Sequence, residues 1–223
     1  MFQLIHRDSR LAVLNKPANV SLLADRSGAP CVWDQLPEAL KAKPYLVHRL
    51  DKGTSGVLLV ALDQDAQREL TRAFRERRVR KYYLAWVTGA FPGGRTFTID
   101  LPLRKGRKSR FRVAGARSNI HVEDRGWALE DTEPQGLPSL TRVRMLRQDP
   151  GRSLLLASPA TGRTHQLRVH LSWIGHPILG DHLYGRPGAA EQQAPRLSLH
   201  CHRLVVPGWG SFEADPYNEC SIM

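Results

Sequence analysis

Nine residues, His48-Arg49-Leu50-Asp51-Lys52-Gly53-Thr54-Ser55-Gly56, lead without a break into the apolar run Val57 to Leu62, and this junction constrains the chain more than any other stretch. The apolar run reads as a buried strand and supplies a rigid base. The two glycines suit a tight backbone path just before it. Asp51 lies between the basic residues Arg49 and Lys52, so one loop carries a carboxylate, cations and two hydroxyls. Loops equipped in this way and held by a rigid element are where binding and catalytic residues concentrate. A turn with an Asx-type hydrogen bond from Asp51 would account for the same residues.

The chain has 223 residues, enough for one large domain or two small ones, and 41% hydrophobic with 24% charged residues is the balance of a globular protein. No apolar run approaches the roughly 20 residues of a membrane helix. The segment Met1 to Asp8 lacks the layout of a signal peptide, so the expected address is the cytoplasm. Cys31, Cys201 and Cys220 are odd in number and far apart, which leaves no disulfide framework and no CxxC motif. His200-Cys201-His202 places several ligand types together, but no HExxH or similar spacing accompanies it, and no metal is expected. Lysine and arginine total 33 against 21 acidic residues, a formal net charge of +12 with arginine predominating. Planar guanidinium groups favour bidentate contacts to phosphate, which points to nucleic acid. The same charge would draw acidic membranes or heparin-like ligands.

Residues 2 to 16 have the pattern of a hairpin turning at Asp8-Ser9, and Pro17 ends its second strand because it has no N–H to donate. Residues 18 to 45 are irregular, with a short helix near Val32 to Leu40. Asp63-Gln64-Asp65 is a start signal for a helix to about Arg78, with Ala66, Leu70, Ala73 and Phe74 on one face. Its other face carries Arg68, Arg72, Arg75, Arg77 and Arg78, which fits either a solvated surface or phosphate contacts. Lys81 to Val87 is rich in aromatic and β-branched residues and reads as a strand. A basic stretch follows, with Arg104, Lys105, Arg107, Lys108 and Arg110 around Phe111. A basic hairpin with an aromatic suits an RNA backbone and an unstacked base, and a disordered basic tip would have the same composition.

Residues 118 to 138 are polar and turn-rich, and strands resume at Ser139 to Arg147 and Ser153 to Ala157. In Thr161 to His170, Thr164 is placed to cap a helix whose buried stripe is Leu167, Leu171 and Ile174, with Arg168 at the edge of that stripe. A half-buried arginine there needs an anionic partner. Gly175 to Gly185 is compact and turn-dense, and a strand at Leu197 to Val206 precedes a short tail. No repeat or linker divides the chain, so a single catalytic domain over 1–223 is expected.

These residues resemble the RluA-type pseudouridine synthases. The resemblance rests on Asn15-Lys16-Pro17, on His48-Arg49-Leu50-Asp51-x-x-Thr54-Ser55-Gly56, on Lys81-x-Tyr83-x-Ala85, and on Gly162-Arg163-Thr164-His165-Gln166-Leu167-Arg168-x-His170, in that order. It runs from about Leu4 to Val206, which implies a compact member without the small N-terminal RNA-binding domain of many relatives. Ala18-Asn19-Val20-Ser21 stands where the family usually has a glycine and an apolar stretch, which affects the shape of that loop. The resemblance implies an α+β fold: a mixed, mainly antiparallel sheet with flanking helices and loops, and a cleft along it. It also implies isomerisation of a uridine in RNA to pseudouridine without cofactor or metal, by a monomer needing RNA but no protein partner. Asp51 corresponds to the catalytic aspartate, Tyr83 to the aromatic packed against the target base, Arg168 to the partner of the aspartate, and Arg49 to the residue that fills the gap left by the nucleotide. Further RNA contacts are expected from His48, Lys81, Arg163 and His165 together with the basic stretch.

Pseudouridine formation breaks the bond between N1 of uracil and C1′ of ribose and rejoins the base through C5. A carboxylate can serve as nucleophile at C1′ or as base toward the C2′ proton, and either role needs Asp51 ionised, which a neighbouring arginine would favour. The target has to leave the helical stack, at a cost of about a few kcal/mol that is smallest in loops. A loop uridine is therefore the natural target, and by its length and its Pro159 to Gly180 segment the chain resembles the compact family members that modify transfer RNA anticodon stem-loops and large-subunit ribosomal RNA. Two readings compete. An RNA-binding protein without catalysis would share the basic surface but would not need Asp51, Tyr83 and Arg168 together. A glycoside hydrolase would need a second carboxylate, and neither motif contains one.

Overall fold

A computed structural model describes residues 2–25, 28–107, 110–185 and 194–216. Lys108, one of the expected RNA contacts, lies outside the described residues. In chain order the elements begin with β1 (Gln3–Arg7), β2 (Leu11–Lys16), α1 (Val32–Leu40), β3 (Tyr45–Leu46), β4 (Ser55–Ala61) and α2 (Gln64–Arg75). They continue with β5 (Arg80–Thr88), β6 (Thr96–Asp100), β7 (Leu103–Lys105), β8 (Phe111–Val113), β9 (Ile120–Glu123) and β10 (Gly126–Leu129). Then follow β11 (Leu140–Asp149), β12 (Arg152–Pro159), α3 (Gln166–Trp173), β13 (Leu199–Val206) and β14 (Gly210–Glu213). The chain forms two compact units, residues 1–81 with 199–223, and residues 82–198.

In the first unit β2 pairs antiparallel with β1 and β4, β3 lies against β4, β13 runs parallel to β4, and β14 pairs with β13. Every residue of β4 is buried, as its unbroken apolar run requires. Val32, Leu36 and Leu40 recur at helical spacing on α1 and pack on Ala12, Leu14, Leu58 and Val60. Asp63 caps α2 by accepting the Ala66 N–H at 2.7 Å. The helix ends at Arg75, short of the expected Arg78, because the backbone turns left-handed at Arg77 (φ 58°).

In the second unit β5, β12, β11 and β6 form an antiparallel sheet, which β10 extends in parallel and β9 in antiparallel pairing. The expected alternation on β11 holds: Thr141 and Val143 are buried while Arg142 and Arg144 are exposed. The basic stretch forms a separate hairpin, β7 with β8. Both units are thus mixed and mainly antiparallel, the α+β class expected. Strands β9 and β10 occupy a region expected to be turns. They are short, and their outward residues are polar or exposed, so apolar periodicity is too brief to mark them.

Candidate active site

Asp51 sits on the turn that feeds β4. The turn is closed by the Thr54 N–H donating to the Asp51 carbonyl at 3.0 Å. Behind it Leu50, Thr54, Ser55 and Gly56 are all buried. Two anchors hold this turn. Lys16, fully buried at the end of β2, donates from Nζ to the carbonyls of Pro17 (2.7 Å), Val20 (2.8 Å) and Lys52 (3.3 Å). The residue after Asp51 is thereby tied to the loop after β2. On the other side Ser55 Oγ bonds His200 Nδ1 at 2.9 Å, and His200 Nε2 bonds the Ala214 carbonyl at 2.8 Å. Gly56, at φ 112°, lies in register with Cys201 of the parallel strand, and a Cβ there would overlap the Cys201 carbonyl.

The other residues of the first motif divide. Arg49 is exposed. His48 accepts the Leu59 N–H at Nε2 (2.9 Å) and stacks on Phe74 with centroids 4.5 Å apart. Burial, and then the positive charge of Lys81, push its pKa down to about 3. A neutral acceptor ring with both of these contacts internal supports the loop. Lys81 is half-buried, and burial likewise lowers its pKa.

In the second unit α3 carries the other motif. The expectation that Thr164 caps it is corrected: the cap position is His165, in the left-handed region at φ 57°, with no side-chain cap hydrogen bond. The turn is held by Gln166 instead. Its Oε1 accepts from Thr161 Oγ1 (2.7 Å) and the Arg163 N–H (3.1 Å), while its Nε2 donates to the Leu140 carbonyl (2.9 Å) and to Thr141 Oγ1 (3.0 Å). One turn further on, the buried His170 bonds Thr141 Oγ1 (3.0 Å) and the Leu101 carbonyl (2.9 Å), and burial pushes its pKa down to about 4. Arg168 leaves α3 on the side opposite these anchors, and its Nε and Nη2 donate to Asp181 at 2.8 and 2.7 Å. The anion that a half-buried Arg168 demands is, within this unit, Asp181.

Tyr83 on β5 is half-buried, opposite Ala157, which itself faces Val143. Directly paired residues share a sheet face, so Tyr83 lies on the face that α3 covers through Thr141. The basic hairpin is fastened beside its turn, where Phe111 pairs with Lys105, and one residue pair further back, where Arg104 pairs with Arg112. Tyr184 Oη accepts the Phe111 N–H (2.9 Å) and shares a hydrogen bond with His165 Nδ1 (2.8 Å). Glu133 takes both ends of the Arg112 fork (2.8 and 2.7 Å) and also Arg104, and the Arg112 hydrogen bonds foremost hold its carboxyl below the usual range. Lys105, Arg107 and Arg110 are exposed. Arg163 is half-buried, its Nε 3.4 Å from the Pro138 carbonyl. No group of three or more His, Cys, Asp or Glu among the described residues is arranged to hold a metal ion. No helix among them is long and apolar enough to cross a membrane.

The model of the RNA pseudouridylate synthase family matches residues 10–173, a span that holds the turn of Asp51, Tyr83 and the whole of α3. The chain belongs to this family. A dual-specificity RNA pseudouridine synthase RluA from Pasteurella multocida is 36% identical over 96% of this chain and 92% of its own length. The ribosomal large subunit pseudouridine synthase C of Vibrio vulnificus is 37% identical over 90% of this chain but only 60% of its own. Among solved structures, human RNA pseudouridylate synthase domain containing 4 superposes with a TM-score of 0.79 at 27% identity, over 96% of this chain and 89% of that one. As a pseudouridine synthase the chain is an isomerase that forms pseudouridine in RNA.

Three residues that shape this synthase's motifs carry no assignment from sequence. Lys16 stands inside the quoted Asn15-Lys16-Pro17, yet its grip on Lys52 depends on a fold that returns residue 52 to residue 16. Glu133 lies in the turn-rich region and has no local signal. For Asp181 a signal exists: it is the one acidic residue between Thr161 and Gly185, close to an arginine that needs an anion.

Proposed function

We propose that this synthase isomerises a loop uridine of transfer RNA or large-subunit ribosomal RNA, with Asp51 as the catalytic carboxylate. The observation that carries the proposal is the support of the Asp51 turn by a buried lysine at one end and a buried strand at the other, which a turn on a plain surface does not require. Asp51, ionised, acts on the ribose at C1′ or C2′ while the uracil detaches and rejoins through C5. Tyr83 offers a flat face to the free base, and Arg168 supplies positive charge to the aspartate. Neither a cofactor nor a metal takes part. Arg49 fills the space the flipped nucleotide vacates, while Lys105, Arg107 and Arg110 on the exposed hairpin grip the flanking phosphates. The substrate class is supported by a relative named for the large ribosomal subunit and by another named dual-specific that this chain matches nearly end to end.

The test is conversion of uridine in total transfer and ribosomal RNA, with sites mapped by chemical adduct and primer extension. Asp51→Asn is expected to abolish conversion while RNA binding persists. An Asp51→Asn protein as active as the parent would remove the aspartate from the mechanism. Absence of any modified site with the parent protein would remove both RNA classes.

A further inference from the structure

We propose that Asp181 is a positioning residue that sets the orientation of the Arg168 guanidinium; the inference rests on the reading of Arg168 as part of the reacting site. The Asp181 side chain is 1% exposed and that of Arg168 12%, so neither side chain has much water to fall back on. Both oxygens of the Asp181 carboxylate are engaged. Oδ2 takes Arg168 Nε at 2.8 Å, and Oδ1 takes Arg168 Nη2 at 2.7 Å with the N–H groups of Leu183 (3.0 Å) and Tyr184 (3.1 Å). A carboxylate this buried and already bonded by Arg168 and two main-chain N–H groups is built to hold the guanidinium rather than to meet a substrate hydroxyl. What it does is fix a fork. Side-on pairing through Nε and Nη2 is bidentate, and a bidentate pair sets the plane of the guanidinium as well as its place.

The Tyr184 ring lies 5.1 Å from the Arg168 guanidinium carbon and limits that plane from one side. With the side-on edge taken, the end-on edge that carries Nη1 faces away from Asp181 in a single orientation. The carboxylate is itself pinned. The Asp181 N–H donates to the Ile178 carbonyl (3.2 Å) and its own carbonyl accepts the Gly185 N–H (2.8 Å), so the turn-dense segment after α3 exists in the form this ion pair needs. The two elements carrying the pair are joined again where Ser172 Oγ donates to the Tyr184 carbonyl at 2.7 Å.

Single-turnover rates on a stem-loop transcript that the parent protein modifies, measured with the dissociation constant for the same transcript, test this. Asp181→Asn keeps the shape and loses the charge-assisted fork. Its rate is expected to fall about 100-fold, the scale of a reacting group misplaced by about an ångström, with RNA affinity within about twofold of the parent. Arg168→Lys is expected to lose as much, and the double variant to be no slower than the slower single, since both remove one unit. A folded Asp181→Asn protein with the parent's rate, beside an impaired Arg168→Lys, overturns the positioning role and leaves the reading of Arg168 intact. An Arg168→Lys protein at the parent's rate overturns that reading itself. A rate loss matched by equal loss of RNA binding also overturns the proposal, because general disorder would produce it. Should the asparagine variant not fold, Asp181→Glu, which keeps the charge and shifts the fork by one carbon, is held to the same criteria.

Discussion

Replacing Lys16 by methionine separates the support of the Asp51 turn from its chemistry. Methionine keeps the apolar stem but leaves the Pro17 and Val20 carbonyls, now at 2.7 and 2.8 Å from Nζ, without a donor. Hydrogen bonds from a charged group contribute about 1.5–3 kcal/mol each, so the two short ones together stabilise by about 3–6 kcal/mol. Against this, the variant no longer buries an ammonium, which returns part of a desolvation cost of several kcal/mol. A net loss of about 2–4 kcal/mol is expected, a large share of a total stability of about 5–15 kcal/mol. For a chain of 223 residues this corresponds to a fall in melting temperature of roughly 5–15 °C. Thermal melts and urea titration measure it directly. Single-turnover rates taken well below both melting temperatures then report on the turn: release of the Lys52 carbonyl should slow modification even where the protein is folded. A stability loss under about 0.5 kcal/mol would mean that the three carbonyls are satisfied without the lysine and that Lys16 does not support the turn.

Two further outcomes follow from the geometry. His170 has a folded pKa near 4, below its ordinary 6.5, so the unfolded chain takes up the proton that the fold refuses. The stability this contributes is complete above about pH 6.5 and is lost as pH falls toward 4, by about 3 kcal/mol. Urea titrations from pH 7 to pH 4 should show a steeper decline in the parent than in His170→Asn, and parallel curves would refute the buried neutral imidazole. Gly56→Ala would force a Cβ into the Cys201 carbonyl at a left-handed φ, and it should yield a protein that is insoluble or melts far lower, read by soluble yield and calorimetry. A soluble Gly56→Ala protein with an unshifted melt would contradict the close parallel pairing of β4 and β13.

Legibility in the sequence followed the range over which a signal acts. The β1–β2 hairpin, α1 at Val32–Leu40 and the cap of α2 at Asp63 are local patterns, and the structure has them where the residues point. Strands β9 and β10 were not legible because they are too short to display a period, and β14 for the same reason was merged into a tail. Thr164 illustrates a different failure: a good capping residue stands one place too early, and the first turn of α3 is closed by a buried glutamine that reads as an ordinary helix residue. The demand for an anion at Arg168 was legible from its half-buried position. Its supplier within the unit, Asp181, is the one acidic residue between Thr161 and Gly185, a signal that motif order overshadows by drawing attention to Asp51.

The charge balance carries a related distinction between charges a protein has and charges it can offer. A formal +12 counts each arginine alike, yet Arg104 and Arg112 are held by Glu133 and Arg168 is forked by Asp181. Lys16 is fully buried, with three main-chain carbonyls on its ammonium. These cations shape the hairpin, the arginine helix and the aspartate turn, so part of their charge is already shared with partners in the fold. The exposed Lys105, Arg107 and Arg110 carry no such commitment, and the hairpin they stand on is rooted through Phe111 to Tyr184, the ring that also borders Arg168. The basic stretch is thus two layers. The cross-strand pair Arg104 and Arg112 is bound to Glu133, while Lys105, Arg107 and Arg110 around the turn are exposed.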